Sequence, residues 1–335
     1  MKRALITGIT GQDGSYLAEC LLEKDYRVFG LVRRSSRCEA SSFWHSIDGD
    51  MTDEASLHRA VQIAKPDEVY NLAAMSHVGH SFVTPTYTAE VNALGLLHLL
   101  QALEQHAPHA RIYQASTSEL FGNAHEFPQN EKTPFAPRSP YGIAKLYAFW
   151  SIVNYREAKR LYACNGILFN HESPRRGESF VSRKITKAVA RIALGSKEPL
   201  ILGNLEAKRD WGYAKDFVQG MWLMLQQEVP TDFVLATGQL HSVRDFVTKA
   251  FHVCDIELLW RGEGLKEQGI DAKTGNVLVI VDPQWFRPTE VHALLGDATL
   301  ARKKLAWKPT IDFAELVSLM VHHDIERLRE AEFVH

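Results

Sequence analysis

Ala4-Leu5-Ile6-Thr7-Gly8-Ile9-Thr10-Gly11-Gln12-Asp13-Gly14 decides the fold. Ala4–Thr7 is a short apolar run of the kind that forms a buried strand. Glycines follow at 8, 11 and 14, and then Leu17, Leu21 and Leu22 recur with helical period. Val28-Phe29-Gly30-Leu31-Val32 supplies a second strand. Strand, glycine-rich turn, helix and strand make a βαβ unit. The glycines allow a tight turn, close approach of backbone N–H groups to a pyrophosphate, and close helix–strand contact. The spacing is Gly-x-x-Gly-x-x-Gly rather than Gly-x-Gly-x-x-Gly. A merely flexible loop could carry three glycines too, but its place between strand and helix favours a dinucleotide turn.

The same alternation continues outward from this unit. Thr52–Ala64 is a predicted helix, and Glu68–Ala74 a strand running into a small-residue turn at Leu72, Ala73 and Ala74. A helical pattern from about Thr86 to His106 has Val91, Leu94, Leu97 and Leu100 as its expected apolar side. Ile112–Ala115 and Gly166–Phe169 are further strands. The expected fold class is therefore α/β: a doubly wound parallel sheet of the Rossmann type, with ligands at the carboxyl ends of its strands. Beyond Phe169 the character changes. Asn170–Gly177 is a polar, turn-like segment, and Val181 opens a helix through Ala190 and Leu194. Phe233–Thr237 is strand-like and is expected to return to the main sheet. The expected division is a dinucleotide-binding domain, 1–169, with a returning segment near 210–240. A smaller, discontinuous substrate domain, 170–209 and 241–335, completes it.

The candidate chemistry falls at strand ends. Ser116, Thr117 and Glu119 follow the strand Ile112–Ala115, placing two hydroxyls beside a carboxylate. Tyr141 and Lys145 are four apart, one helical turn, on one face. That spacing is common by chance, and it gains meaning from the upstream dinucleotide turn. A phenol titrates near pH ~10, and a neighbouring ammonium favours the phenolate. Lowering it by about 3 units takes about 4 kcal/mol, expected from Lys145 and a cationic nicotinamide ring together. The carboxylate adds a second acid/base that a simple dehydrogenase does not need. At the end of the second strand stands Arg33-Arg34-Ser35-Ser36 rather than a carboxylate. Two guanidiniums and two hydroxyls suit a 2′-phosphate, so the expected cofactor is NADP. A solvated basic turn or a subunit contact is the alternative for this stretch. Basic residues in separate later segments, among them Arg175, Arg176, Lys184, Arg209 and Arg287, would bind a second diphosphate if they converged, that of the substrate.

Composition bounds the rest. The chain has 335 residues, 45% hydrophobic and 23% charged, with a net charge of −2. Such a balance gives no field pointing to nucleic acid or a membrane surface. No apolar run approaches the ~20 residues of a membrane span. Cys20, Cys38, Cys164 and Cys254 form no C-x-x-C pair and no metal-like cluster with His. The expectation is a cytoplasmic protein with reduced thiols and no metal.

On these motifs the sequence resembles the extended short-chain dehydrogenase/reductase superfamily and, within it, the GDP-mannose 4,6-dehydratase family. The resemblance rests on Gly-Ile-Thr-Gly-Gln-Asp-Gly at 8–14, Arg-Arg-Ser-Ser at 33–36 and Gln-Ala-Ser-Thr-Ser-Glu-Leu at 114–120. It continues in Pro-Arg-Ser-Pro-Tyr-Gly at 137–142, Gly-Ile-Leu-Phe-Asn-His-Glu-Ser-Pro-Arg-Arg-Gly at 166–177 and Lys-Arg-Asp-Trp-Gly at 208–212. It runs to about Asp324, and the 166–177 and 208–212 segments are its most specific parts. The resemblance implies a hydro-lyase acting on GDP-mannose with NADP. Thr117 and Tyr141 would hold the hexose 4-hydroxyl, with Tyr141 as base, Lys145 as its tuning cation, and Glu119 as acid/base at carbons 5 and 6. It also implies cofactor positions at Gly8, Gly11, Gln12, Asp13, Gly14, Arg33, Arg34, Asp50, Met51, Leu72, Ala73, Ala74, Lys145, His171 and Arg176. Nucleotide-sugar contacts would fall at Asn170, Val181, Lys184, Arg209, Arg287 and Glu290. A homo-oligomer, dimer or tetramer, is implied as well.

Two departures stand out. Only fifteen residues separate Arg34 from Asp50, fewer than family members usually have, and the family uses this region in tetramer formation. Met75 replaces a Gln usual in the family. Two other readings of the chain are a nucleotide-sugar 4-epimerase or 4-keto reductase, which needs no Glu119, and a non-catalytic NADP-binding regulator, which needs none of the four.

Overall fold

The computed structural model describes residues 1–33, 43–124, 126–286 and 289–332. Its first half alternates strand and helix: β1 Arg3–Thr7, α1 Gln12–Leu22, β2 Arg27–Val32, β3 His45–Asp48, α2 Glu54–Ala64 and β4 Glu68–Asn71. Next come α3 Val78–Ser81, α4 Pro85–Ala89, a π-helical turn Glu90–Leu94, α5 Gly95–His106, β5 Arg111–Ala115, α6 Pro140–Ala158 and β6 Ala163–Leu168. Short elements follow: β7 Asn170–Glu172, α7 Val181–Ala193, β8 Leu200–Leu202, β9 Lys208–Arg209, β10 Trp211–Tyr213, α8 Ala214–Leu225 and β11 Phe233–Leu235. The chain continues through β12 His241–Ser242, α9 Val243–His252, β13 Leu258–Arg261, β14 Gln268–Asp271, β15 Val277–Val281, β16 Ala293–Leu294, α10 Thr299–Leu305 and α11 Phe313–Glu332.

Seven parallel strands form the main sheet in the order β11-β6-β5-β4-β1-β2-β3. Strand order reverses beside β1, with β2 on one side and β4 on the other, as in a doubly wound sheet. Both faces are covered. Ala4, Ile6, Val28 and Val32 belong to one core, and Leu5, Phe29, Leu31 and Ile47 to the opposite one. Burial on both faces is why these strands read as unbroken apolar runs. A third core joins α7, α9, α11 and the sheet β13-β14-β15-β8. Arg183 of α7 pairs with the buried Asp324 of α11, and the Thr186 hydroxyl donates to the same carboxylate at 2.7 Å. No described helix is long and apolar enough to cross a membrane.

Two expectations require correction. The pattern from Thr86 to His106 is not one regular helix: the π turn Glu90–Leu94 interrupts it. A wide turn carries an extra residue and rotates the apolar stripe. Leu94 therefore faces out, 43% exposed, and Leu97 is half-buried, while Leu96, Leu99, Leu100 and Leu103 fill the core. Counting with a constant period cannot see that shift. The segment Asn170–Gly177 is not all turn either. Asn170–Glu172 is β7, paired in parallel with Trp211–Tyr213. Its partner lies some forty residues away, so no local pattern announces it.

Candidate active site

Carboxyl ends of the main-sheet strands open onto a cleft of about 1020 Å³. The turn after β1 lies on this side of the sheet, between β4 and β2. Gly8 sits at φ +70°, and a Cβ there would lie 2.8 Å from the Ala73 nitrogen. At Gly14 a Cβ would lie 2.2 Å from the Gly8 carbonyl oxygen. The turn and helix α1 can pack this closely only because both positions are glycine. Gly11 starts α1 with no side-chain cap, so the first-turn N–H groups keep their donors for an anion. These residues fit the pyrophosphate of a dinucleotide.

Asp13, in the same first turn, is engaged elsewhere. Its carboxylate lies 2.8 Å from His171 Nε2 and accepts from Gln12 Nε2 at 3.0 Å. Burial alone would raise the Asp13 pKa, but the charge and hydrogen bond of His171 carry it below the ordinary value. Burial opposes the charge on His171 as well, yet Asp13 holds its pKa above normal. The imidazole also stacks on Phe217, with centroids 4.7 Å apart. Gln12 completes the clasp: it donates to the His171 carbonyl and accepts from the Ser173 hydroxyl.

Strand β5 and helix α6 bring the four chemical residues together. After β5 the chain turns through Thr117 into a short 3₁₀ segment, Ser118–Leu120. The Thr117 hydroxyl accepts from the Glu119 N–H at 3.2 Å, which holds Glu119 in the buried lining of the cleft. Helix α6 begins at Pro140, and the Ser139 hydroxyl caps it by accepting from the Gly142 N–H at 3.0 Å. Tyr141 and Lys145 are thus in its first turns, both buried and both on the cleft. The Tyr141 N–H donates to the Ser81 hydroxyl, tying the helix start to α3.

Burial pushes the Tyr141 phenol up to about 12, against the lowering effect of its hydrogen bond with Thr117; Glu119 adds to the rise and Arg176 opposes it. Burial also brings the Lys145 ammonium down to about 8, with Asp13 opposing. The lowering expected from Lys145 and a cationic nicotinamide ring together is not produced by Lys145 alone. Lys145 Nζ lies 5.9 Å from the Tyr141 ring centroid and donates to the Ala115 carbonyl at 2.8 Å. Desolvation is the largest influence on both groups and disfavours the charged form of each.

The structure gathers many of the expected residues and leaves others apart. Asp13, Leu72, Ala74, Thr117, Glu119, Tyr141, Lys145, His171 and Arg176 line the cleft, as do Asn170, Val181, Lys184, Arg209 and Glu290. Gly8, Gly11, Gln12, Gly14, Arg33, Asp50, Met51 and Ala73 do not line it; they follow β1, β2, β3 and β4. Arg33 donates to the Tyr87 hydroxyl at 3.3 Å. Asp50 accepts from the N–H and hydroxyl of Thr52, and Met51 is buried against Gly95. Arg34 and Arg287 lie outside the described residues. Arg209 donates to the Lys208 and Val291 carbonyls at 2.9 and 2.8 Å, with Glu290 3.8 Å away.

Several contributors escaped the sequence reading. Asn92, in the π turn, grips both backbone polar groups of Met75, at 2.8 and 3.0 Å, and so shapes the cleft lip. Glu172 is buried, accepts from the Ser182 hydroxyl at 2.5 Å and lies 3.0 Å from Arg176 Nε. Trp211 Nε1 in the cleft lining is buried without a partner among the described residues, as is Ser116 Oγ, one of the two hydroxyls expected after β5. Glu172 and Trp211 had a signal in their places inside the 166–177 and 208–212 segments. Among the described residues no His, Cys, Asp and Glu cluster could hold a metal ion.

Comparison with known proteins agrees with this arrangement. The family model described as GDP-mannose 4,6 dehydratase matches residues 5–320. A GDP-mannose 4,6-dehydratase of Sinorhizobium fredii is 55% identical, over 98% of this chain and 98% of its own. The Drosophila melanogaster GDP-mannose 4,6 dehydratase is 54% identical, over 98% of this chain and 87% of its own. Among solved structures, a UDP-glucose 4-epimerase from Thermotoga maritima superposes with a TM-score of 0.83 at 24% identity, covering 97% of this chain and 99% of its own. That likeness concerns the fold.

Proposed function

This chain belongs to the GDP-mannose 4,6-dehydratase family, and from that premise we propose that it converts GDP-α-D-mannose to GDP-4-dehydro-6-deoxy-D-mannose and water. In this reading residues 1–169 with 210–240 carry the dinucleotide, and 170–209 with 241–335 carry the nucleotide sugar. The cofactor is NADP, which accepts a hydride and returns it within one turnover, so no external reductant is consumed. The glycine turn at 8–14 and the uncapped start of α1 would seat its pyrophosphate; Arg33 and Arg34 would meet the 2′-phosphate.

Thr117 and Tyr141 bind the hexose 4-hydroxyl between them. A phenol near 12 is first a hydrogen-bonding group. Its service as base draws on Arg176 and on Lys145 acting together with the cationic nicotinamide ring of a bound dinucleotide. Glu119 removes the carbon-5 proton and delivers a proton to the departing carbon-6 hydroxyl. Elimination follows oxidation because a carbon-4 ketone acidifies the carbon-5 hydrogen. Lys184, Arg209 and Arg287 hold the diphosphate, and Asn170, Val181 and Glu290 complete the substrate wall.

The observation that carries this reading is Glu119, a carboxylate buried in the cleft beside Thr117 and Tyr141. A 4-epimerase or 4-keto reductase has no use for it. The test is incubation with GDP-mannose without reductant, followed by mass spectrometry. A product lighter by one water, with no NADPH accumulating, is expected. An isomer of unchanged mass would mean an epimerase, and no reaction with added NADP a regulator.

A homo-oligomer is part of the proposal. Ile143, Tyr147 and Trp150 form an exposed stripe along α6, 59%, 46% and 56% accessible, and Leu94 and Tyr87 on the adjacent helices are exposed too. Apolar surface of this kind supports contact with a second copy. The free thiols Cys20, Cys164 and Cys254 support a cytoplasmic setting.

A further inference from the structure

Lys184 sits in the first turns of α7, and its Nζ lies 3.4 Å from the centroid of the Trp285 ring. Among the described residues that ammonium has no hydrogen-bond acceptor, so its donors are unspent and it borders the cleft. Burial lowers the Lys184 pKa, and the charge of Asp282 opposes this. Trp285 itself is 54% exposed, so it does not serve the core. Its backbone is nonetheless held. A Cβ on Gly203 would lie 2.5 Å from the Trp285 carbonyl oxygen, a fit that only glycine permits. The Asp282 N–H donates to the Leu202 carbonyl at 2.8 Å, and the Trp285 N–H donates to the Asp282 carbonyl at 3.2 Å. An exposed ring on a fixed backbone, with a cation on its face, spends structure on placing that cation.

We propose that Trp285 is a positioning residue: its ring holds the Lys184 ammonium at the cleft so that the unspent donors meet the diphosphate of a nucleoside diphosphate-sugar. The ring restrains a long, flexible side chain without occupying any of its donors. An acidic partner would restrain Lys184 equally well but would repel the phosphates. Trp285 restrains the ammonium with an uncharged, electron-rich face, and Asp282 acts on it through charge alone, with no hydrogen bond between them among the described residues.

The inference rests on the reading above only for the class of ligand. The test is calorimetric titration of the full-length protein with GDP, in the wild type and in Trp285→Phe, Trp285→Leu, Lys184→Met and the Leu/Met double variant. Steady-state kinetics with GDP-mannose and a thermal unfolding curve accompany each. Trp285→Leu is expected to weaken GDP binding about 3- to 30-fold, with a smaller loss for Trp285→Phe. KM rises in step while kcat moves less than twofold, and dinucleotide affinity does not change. In the Lys184→Met background the Leu substitution has no further effect. Wild-type affinity in Trp285→Leu overturns the inference. So does an equal loss with and without Lys184, since the ring would then act alone, for instance by stacking on the base. A wild type that fails to bind GDP overturns it too. If the wild type binds GDP yet leaves GDP-mannose unaltered in mass, the dehydratase reading fails and the Lys184–Trp285 coupling stands or falls on the titrations alone.

Discussion

Lys145 donates a 2.8 Å hydrogen bond to the carbonyl oxygen of Ala115. One end of this bond is on α6, which carries Tyr141; the other closes β5, which leads into Thr117 and Glu119. The two pieces of chain that must cooperate are therefore pinned by the side chain of a third catalytic candidate. The ammonium bears a cost, since burial brings its pKa from the ordinary 10.5 to about 8. A lysine lowered in this way destabilises the fold while it is charged in it. The penalty is full below pH ~8 and fades as pH rises to ~10.5, the unfolded value. Lys145→Met should therefore abolish turnover yet unfold later than the wild type at pH 7, by up to about 3 kcal/mol. That advantage should close between pH 8 and 10.5. Chemical denaturation across this range checks it; a Met variant less stable at pH 7 would show that the Ala115 bond outweighs the buried charge.

Glu119 is separable from dinucleotide binding, because it lies beside Tyr141 rather than at the glycine turn. Glu119→Gln keeps the shape and loses the acid/base. Water loss should fall ~10²–10⁴-fold, with NADP affinity unchanged by fluorescence titration. Turnover at the wild-type rate would remove Glu119 from the mechanism.

Gly14 has no room for a methyl group. The new Cβ would meet Gly8 oxygen at 2.2 Å and Ile9 Cα at 2.6 Å, both backbone atoms that cannot swing aside. Gly14→Ala should cost about 1–3 kcal/mol in stability and weaken dinucleotide binding, because the displaced turn carries the amides that would meet the pyrophosphate. Unfolding curves with and without NADP test both, and unchanged values would show the turn to be more yielding than its contacts imply.

The Asp13–His171 pair makes stability depend on pH from both sides. His171 is raised above its ordinary 6.5, so its contribution is complete below that value and lost as pH climbs through the higher folded value. Asp13 is lowered below 3.8, so its contribution is present above 3.8 and lost as pH falls through the lower folded value. The melting-temperature difference between the wild type and His171→Gln should be greatest between about pH 4 and 6.5 and shrink as pH climbs above that window. A flat difference would mean that His171 acts through its stacking on Phe217 alone.

Much of the architecture was legible because its signals are local. The turn at 8–14 is read from three glycines and their flanks, and Tyr141 and Lys145 from one helical turn. What stayed hidden is set by partners distant in sequence. Glu172 looks like a loop carboxylate until β7 finds β10. Lys184 and Trp285 are about a hundred residues apart, and nothing in either stretch points to the other. The phenol and the ammonium were read through the charges beside them, whereas burial is the largest influence on both.

The π turn at Glu90–Leu94 has a genetic consequence. Removing Glu90, Val91, Ala93 or Leu94 would heal the helix into a regular one, a change that looks harmless by propensity. It would also swing Asn92 by about 100° off its axis and strip Met75 of both its backbone partners. A deletion here should thus leave a well-folded chain with a misshapen cleft lip.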